Sequence, residues 1–223
     1  MCGRFTLAVD ARELEEAFEL ASSVRLEPRY NIAPTEQVPA VRLGPKGREL
    51  VEMRWGLIPF WAKDEKIGHR LINARVEGAA EKPAFREAFR HRRCVIPSTG
   101  FFEWRVEGRR RQPFLVHRKD GGLFGIAGLW ERWRGPEGRV ESFTLLTRPA
   151  AGPVAALHDR MPVVLAPEQA GPWLDPAADP EGETLSIPFD ADAWEATPVN
   201  PAVNDPRNKG PECIAPWDED GGG

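Results

Sequence analysis

No stretch of this 223-residue chain approaches the roughly 20 consecutive apolar residues needed to cross a bilayer. Its opening, MCGRFTLAVDARELEEAF, lacks the basic flank, apolar run and cleavage site of an export signal. The expectation is a cytoplasmic protein with no membrane partner. Cysteine is scarce: Cys2, Cys94 and Cys213 leave one thiol over from any pairing and form no CxxC. That argues against a disulfide framework and against structural zinc, so neither a metal nor a cofactor is expected. GxxxxGK[ST] is missing, as is a GxGxxG running from a strand into a helix, which argues against a nucleotide-driven machine. Tyrosine occurs once, whereas eight Trp and eleven Phe supply rings that either fill a core or stack on flat ligands.

The 41% hydrophobic and 29% charged residues are near globular averages, so the chain is expected to fold around one core. Net charge is unevenly placed. Of the 30 Lys and Arg, 27 precede residue 149, against 20 of the 34 Asp and Glu, which leaves +7 on residues 1–148 and −11 on residues 149–223. An overall pI of 5.7 is therefore compatible with a basic groove for a polyanion, and equally with a solvated mixed surface.

Asp10 to Glu19 opens with a capping residue and places Leu14, Ala17 and Phe18 on one face, predicting a short amphipathic helix. Residues 38–57 read as a hairpin turning at GPKG, and EWRVEGRRRQPFLVHR as strand, basic turn and strand. Residues 123–133 and 140–146 suggest another strand pair, and 82–91 and 167–173 further helices. Recurrent hairpins without βαβ alternation imply an α+β fold rich in antiparallel sheet. The expected division is one domain over residues 1–217 and a disordered acidic, glycine-rich tail over 218–223.

Four positions suggest chemistry. Removal of Met1 would leave Cys2 at the terminus, where an α-amine and a thiol of near-neutral reference pKa sit on adjacent carbons. The amine adds to an aldehyde to give an imine, and the thiol closes on the imine carbon as a five-membered thiazolidine. A buried, incidental cysteine is the bland alternative. Asn73, in INAR, offers an amide donor and an acceptor. Glu103 lies among Phe101, Phe102 and Trp104, either buried with a raised pKa suited to proton transfer or facing solvent by strand alternation. His158 adjoins Asp159, a carboxylate able to orient it.

MCGRF, YNIAPT (30–35), RWGLIPFWAKD (54–64), INAR (72–75), GFFEW (100–104), LLT (145–147) and HDRMPVVL (158–165) together resemble the SOS-response-associated (SRAP) family, whose members shield abasic sites in single-stranded DNA. The resemblance runs from residue 2 to about 210. It implies a single mixed domain around curved antiparallel sheets. It also implies a covalent thiazolidine crosslink between Cys2 and the ring-opened aldehyde of an abasic site, with AP-lyase and self-processing peptidase activity as further possibilities. Carried over by motif, Cys2 is the nucleophile, Asn73 bonds near the reacting terminus, Glu103 transfers protons and His158 assists ring opening or proton transfer. Arg4, Pro34, Trp61, Arg75, Thr147 and Arg160 would contact the strand, and Arg207 and Lys209 would lie near it. The basic run Arg109 to Arg111 is read as a solvated hairpin tip outside the site. The implied partner is abasic single-stranded DNA, at the nucleoid in a bacterium, with the protein monomeric. Two other classes compete: a cysteine peptidase using Cys2, His158 and Asn73, and a non-covalent single-strand binder using Trp and Arg.

Overall fold

Asp10 starts the first helix by accepting the Glu13 backbone N–H at 2.8 Å, and Leu14 and Phe18 bury one face. This helix, α1 (Ala11–Phe18), ends where Glu19 adopts a left-handed φ of 50°. The computed structural model describes residues 2–136, 138–180 and 184–217. Met1 and the expected tail at 218–223 lie outside the described residues. Helix α2 covers only Arg86–His91, shorter than the 82–91 expected, because Phe85 leaves helical geometry (φ −125°) and places its ring in the core. The expected 167–173 helix divides into a 3-10 turn at Pro167–Gln169 and α3 (Ala170–Leu174).

The strands among the described residues are β1 (Phe5–Leu7), β2 (Arg29–Ile32), β3 (Gln37–Gly44), β4 (Gly47–Trp55), β5 (Asn73–Arg75), β6 (Arg93–Ser98), β7 (Gly100–Glu107), β8 (Arg110–Arg118), β9 (Phe124–Gly135), β10 (Gly138–Pro149), β11 (Arg160–Pro162), β12 (Val164–Leu165) and β13 (Trp194–Pro198). All three expected hairpins form: β3–β4, β7–β8 and β9–β10. One sheet runs β13-β8-β7-β1-β2. The other runs β11-β10-β4-β3-β6-β9-β12, and the β9–β10 pairing closes five of its strands into a small barrel. The α+β expectation agrees with this arrangement. Its antiparallel character needs one correction, because β10 runs parallel to both β4 and β5.

An aromatic row ties the sheets together. Trp55 on β4 lies 5.1 Å from Phe5 on β1 and 6.2 Å from Phe143 on β10, all three without exposed surface. Trp55 Nε1 also donates to the Ile72 carbonyl at 2.9 Å, which fixes the chain entering β5. A second cluster of Phe102, Val199, Val203 and Cys213 seats the C-terminal segment on the far face of the five-stranded sheet. Asn31 is its polar hub. Its Oδ1 accepts from Arg4 at 2.8 Å, and its Nδ2 faces the carbonyls of Asn208 (2.8 Å), Asp205 (3.1 Å) and Val203 (3.3 Å). Asn31→Ala strands these buried groups and is expected to lower stability by about 2–4 kcal/mol. Urea denaturation measures it, and an unchanged midpoint would deny Asn31 this role.

Candidate active site

Strand β1 lies antiparallel to β7, with Phe5 opposite Phe101 and the Phe102 N–H donating to the Arg4 carbonyl at 2.9 Å. The residues ahead of β1 therefore run along Phe102–Trp104, and Cys2 arrives near enough to Glu103 to feel its charge. From the barrel side, Asn73 is held opposite Leu145 where β5 pairs with β10, and its Nδ2 donates to the Cys2 carbonyl at 2.8 Å. Its Oδ1 is buried without a hydrogen-bond partner among the described residues. His158, on the approach to β11, lines a cleft of about 520 Å³ together with Gly3, Arg4 and Glu103. Cys2, Asn73, Glu103 and His158 come from four separate segments and meet at the seam between the sheets.

Burial governs the electrostatics. Cys2 has no exposed surface, and desolvation, followed by the Glu103 charge, pushes its thiol well above the usual range. Glu103 is 3% exposed, and burial drives its carboxyl up to about 7. Of its two sequence readings the structure selects the buried one: Glu103 follows Phe101 on the inward face of β7, while Phe102 and Trp104 alternate to the other. Burial also pushes the His158 imidazole down, against the opposing pull of Asp159. His158 Nδ1 accepts the Arg160 backbone N–H at 2.9 Å and lies 2.8 Å from Asp159.

The expected strand contacts divide by exposure. Trp61 is 48% exposed and lines a second cleft, about 540 Å³, with Arg70, Asn73, Arg75 and Lys82. Asn73 thus belongs to that cleft while bonding to Cys2 at the head of the first. Arg70 and Lys82 were not singled out in the sequence, although Arg70 lies in the basic stretch ahead of INAR. Pro34 is partly exposed, at the second position of a turn whose third residue, Thr35, adopts φ 77°, a strained conformation for a β-branched side chain. Arg4 reaches the first cleft with its Nη1 already bonded to Asn31 and to the Val203 carbonyl (2.9 Å).

Thr147 and Arg160, expected to contact the strand, each also bond within the protein. Thr147 has no exposed surface and donates to the Ala74 carbonyl at 3.3 Å, so here it secures β5. Arg160 forks onto Glu77 at 2.6 and 2.8 Å and onto the Thr147 carbonyl at 2.6 Å. It buttresses the same element, and its hydrogen bonds hold the Glu77 carboxyl below its ordinary range. Arg207 pairs with Asp205, and Lys209 with Glu36 and the Asn31 carbonyl; the residue of that segment lining the cleft is Asn204. Arg111, set aside in the sequence as part of a solvated tip, also lines it. Among the described residues no three of His, Cys, Asp or Glu are grouped to hold a metal, and no helix is long and apolar enough to cross a membrane.

Comparison with known proteins adds an independent line. The family described as SOS response associated peptidase (SRAP) matches residues 1–206. The chain is 40% identical over 221 residues to Abasic site processing protein YoqW of Bacillus subtilis, covering 96% of this chain and 99% of that protein. It is 33% identical to Abasic site processing protein YedK of Escherichia coli, covering 97% and 100%. A crystal structure from Bacteroides thetaiotaomicron superposes with a TM-score of 0.86 at 28% identity, covering 97% of this chain and all of that one. With a family match across nearly its whole length and full-length relatives at this identity, the chain belongs to the SOS response associated peptidase (SRAP) family.

Proposed function

We propose that this protein processes abasic sites in single-stranded DNA by coupling to them covalently through Cys2 once Met1 is removed. The observation carrying this reading is the convergence of Asn73 and Glu103 on Cys2, a residue that offers both amine and thiol only at a chain terminus. The Cys2 amine attacks the C1′ aldehyde of the ring-opened sugar, and loss of one water gives the imine. The thiol then adds to the imine carbon, its proton passing to nitrogen, to close the thiazolidine. Glu103, near half-ionised at neutral pH, accepts the proton from the attacking amine and returns one to the departing hydroxyl. Asn73 fixes the Cys2 carbonyl and with it the direction of the amine. His158 assists opening of the sugar ring by transferring a proton to its oxygen. Strand β-elimination would also start from the imine, so closure by sulfur keeps the strand intact.

Trp61 and the cations of both clefts supply stacking and phosphate contacts indifferent to base identity, so selectivity comes from the aldehyde. A cysteine peptidase acting on other chains requires a thiolate at neutral pH. Burial and the Glu103 charge disfavour that thiolate for either reaction, and coupling differs in beginning with the amine, which a peptidase does not use.

The test mixes protein, with Met1 removal verified by intact mass, with a strand carrying one abasic site. A slow, heat-stable band on a denaturing gel is expected, its mass that of protein plus DNA less one water. Blocking the α-amine while sparing the thiol should remove it. Absence of the band from verified material refutes the reading.

A further inference from the structure

Strand alternation places Trp104 and Val106 on one face of β7 and Arg111, directly opposite Val106, on the same face of β8. All three line the cleft that holds Arg4 and Glu103. The Arg111 guanidinium lies 5.6 Å from the centre of the Trp104 ring and that of Arg4 lies 5.9 Å from it. Trp104 itself is fixed by its Nε1 donating to Asn204 Oδ1 at 2.6 Å. Two like charges thus converge on one anchored ring. Burial weakens the hold of Arg4 on its proton, with Glu36 opposing that and Arg111 adding slightly to it, and an anion reached by both guanidinium groups would favour their charged forms. Arg111 is exposed and free to turn toward a ligand, whereas Arg4 is already anchored by Asn31.

We propose that Arg111 is a further DNA-binding residue, which with Arg4 clamps the backbone phosphate flanking the lesion on the Glu103 side of Cys2. This inference rests on the abasic-site reading above. The β7–β8 hairpin becomes an arm of the site: Arg111 and Arg4 take the phosphate by charge-assisted hydrogen bonds, and exposed Val106 covers the adjoining sugar. A cleft of about 520 Å³ accommodates one nucleotide unit.

The test compares wild type with Arg111→Gln on a strand carrying a tetrahydrofuran abasic analogue, which has no aldehyde and reports non-covalent binding alone. Arg111→Gln is expected to weaken binding about three- to tenfold at low salt and to flatten the plot of log K against log salt by about 0.7. Arg109→Gln, at the exposed tip outside the cleft, should leave both unchanged. Neutralising single phosphates as methylphosphonates should weaken wild type most at one position beside the lesion and weaken Arg111→Gln no further there. A wild-type salt slope in Arg111→Gln, or equal sensitivity of both proteins at every phosphate, overturns the clamp. Gels with a true abasic strand separate the two levels: a wild-type adduct with an unaltered Arg111→Gln slope refutes the arm alone, whereas no wild-type adduct refutes the function on which it rests.

Discussion

With Cys2 replaced by alanine, the heat-stable adduct with abasic DNA is expected to vanish, while non-covalent binding of the same strand stays within about twofold of wild type. Alanine is small enough for Met1 removal to continue, and it keeps the α-amine that begins the reaction. The imine therefore still forms, but nothing closes on its carbon and water reverses it. Adding borohydride during the reaction reduces that imine to a secondary amine and should restore the band in the variant. The contrast isolates the sulfur. In the proposed reaction wild type needs no reductant, because its sulfur is two bonds from the carbon that bears the amine and reacts at the high effective concentration of a forming five-membered ring. A Cys2→Ala protein that yields as much stable adduct as wild type without reductant would remove the thiol from the mechanism.

Glu103→Gln is expected to slow adduct formation by about 10²- to 10⁴-fold, because the amide keeps the shape of the carboxyl but cannot carry a proton between the amine and the departing hydroxyl. In wild type the rate should gain a limb near pH 7, where burial has placed the carboxyl, and the variant should lack it. The same substitution should stabilise the protein at alkaline pH. Between about 4.5 and 7 the unfolded chain releases a proton that the folded chain retains, so the native state loses ground as pH rises. Glutamine escapes this penalty. Its melting temperature should exceed that of wild type at pH 8, and the gap should narrow toward pH 5. A native crosslinking rate in Glu103→Gln would exclude proton transfer by this residue.

Local pattern carried much of this structure. Asp10, the spacing of Leu14 and Phe18, and the Gly-containing turns located α1 and the three hairpins within a few residues, since capping, periodicity and turn chemistry act over short distances. The parallel pairings of β10 were not legible: nothing in SFTLLT marks that Leu145 lies opposite Asn73, a partner 72 positions away. The motifs identified Cys2, Asn73, Glu103 and His158 as a set, yet the fate of Glu103 depended on which face of β7 met the core, a question alternation poses and only packing answers. Thr147 and Arg160 show the converse. Their motif suggests strand contacts, and their bonds to the Ala74 carbonyl and to Glu77 are visible only in the fold. Arg111 was missed because a run of arginines beside a glycine turn has the composition of a solvated tip, and its distinction from Arg109 lies in register, opposite Val106.

Glu103 and Asn73 approach Cys2 from different layers, one riding on the five-stranded sheet and the other on the barrel, with the Phe5–Trp55 contact as the rivet between them. A slip of about 1 Å along that joint would leave each ladder whole and yet cost reactivity on the order of a hundredfold. In the proposed reaction, capture of the sugar becomes an alignment gauge: damage to the rivet is expected to silence the chemistry in molecules that still register as fully folded.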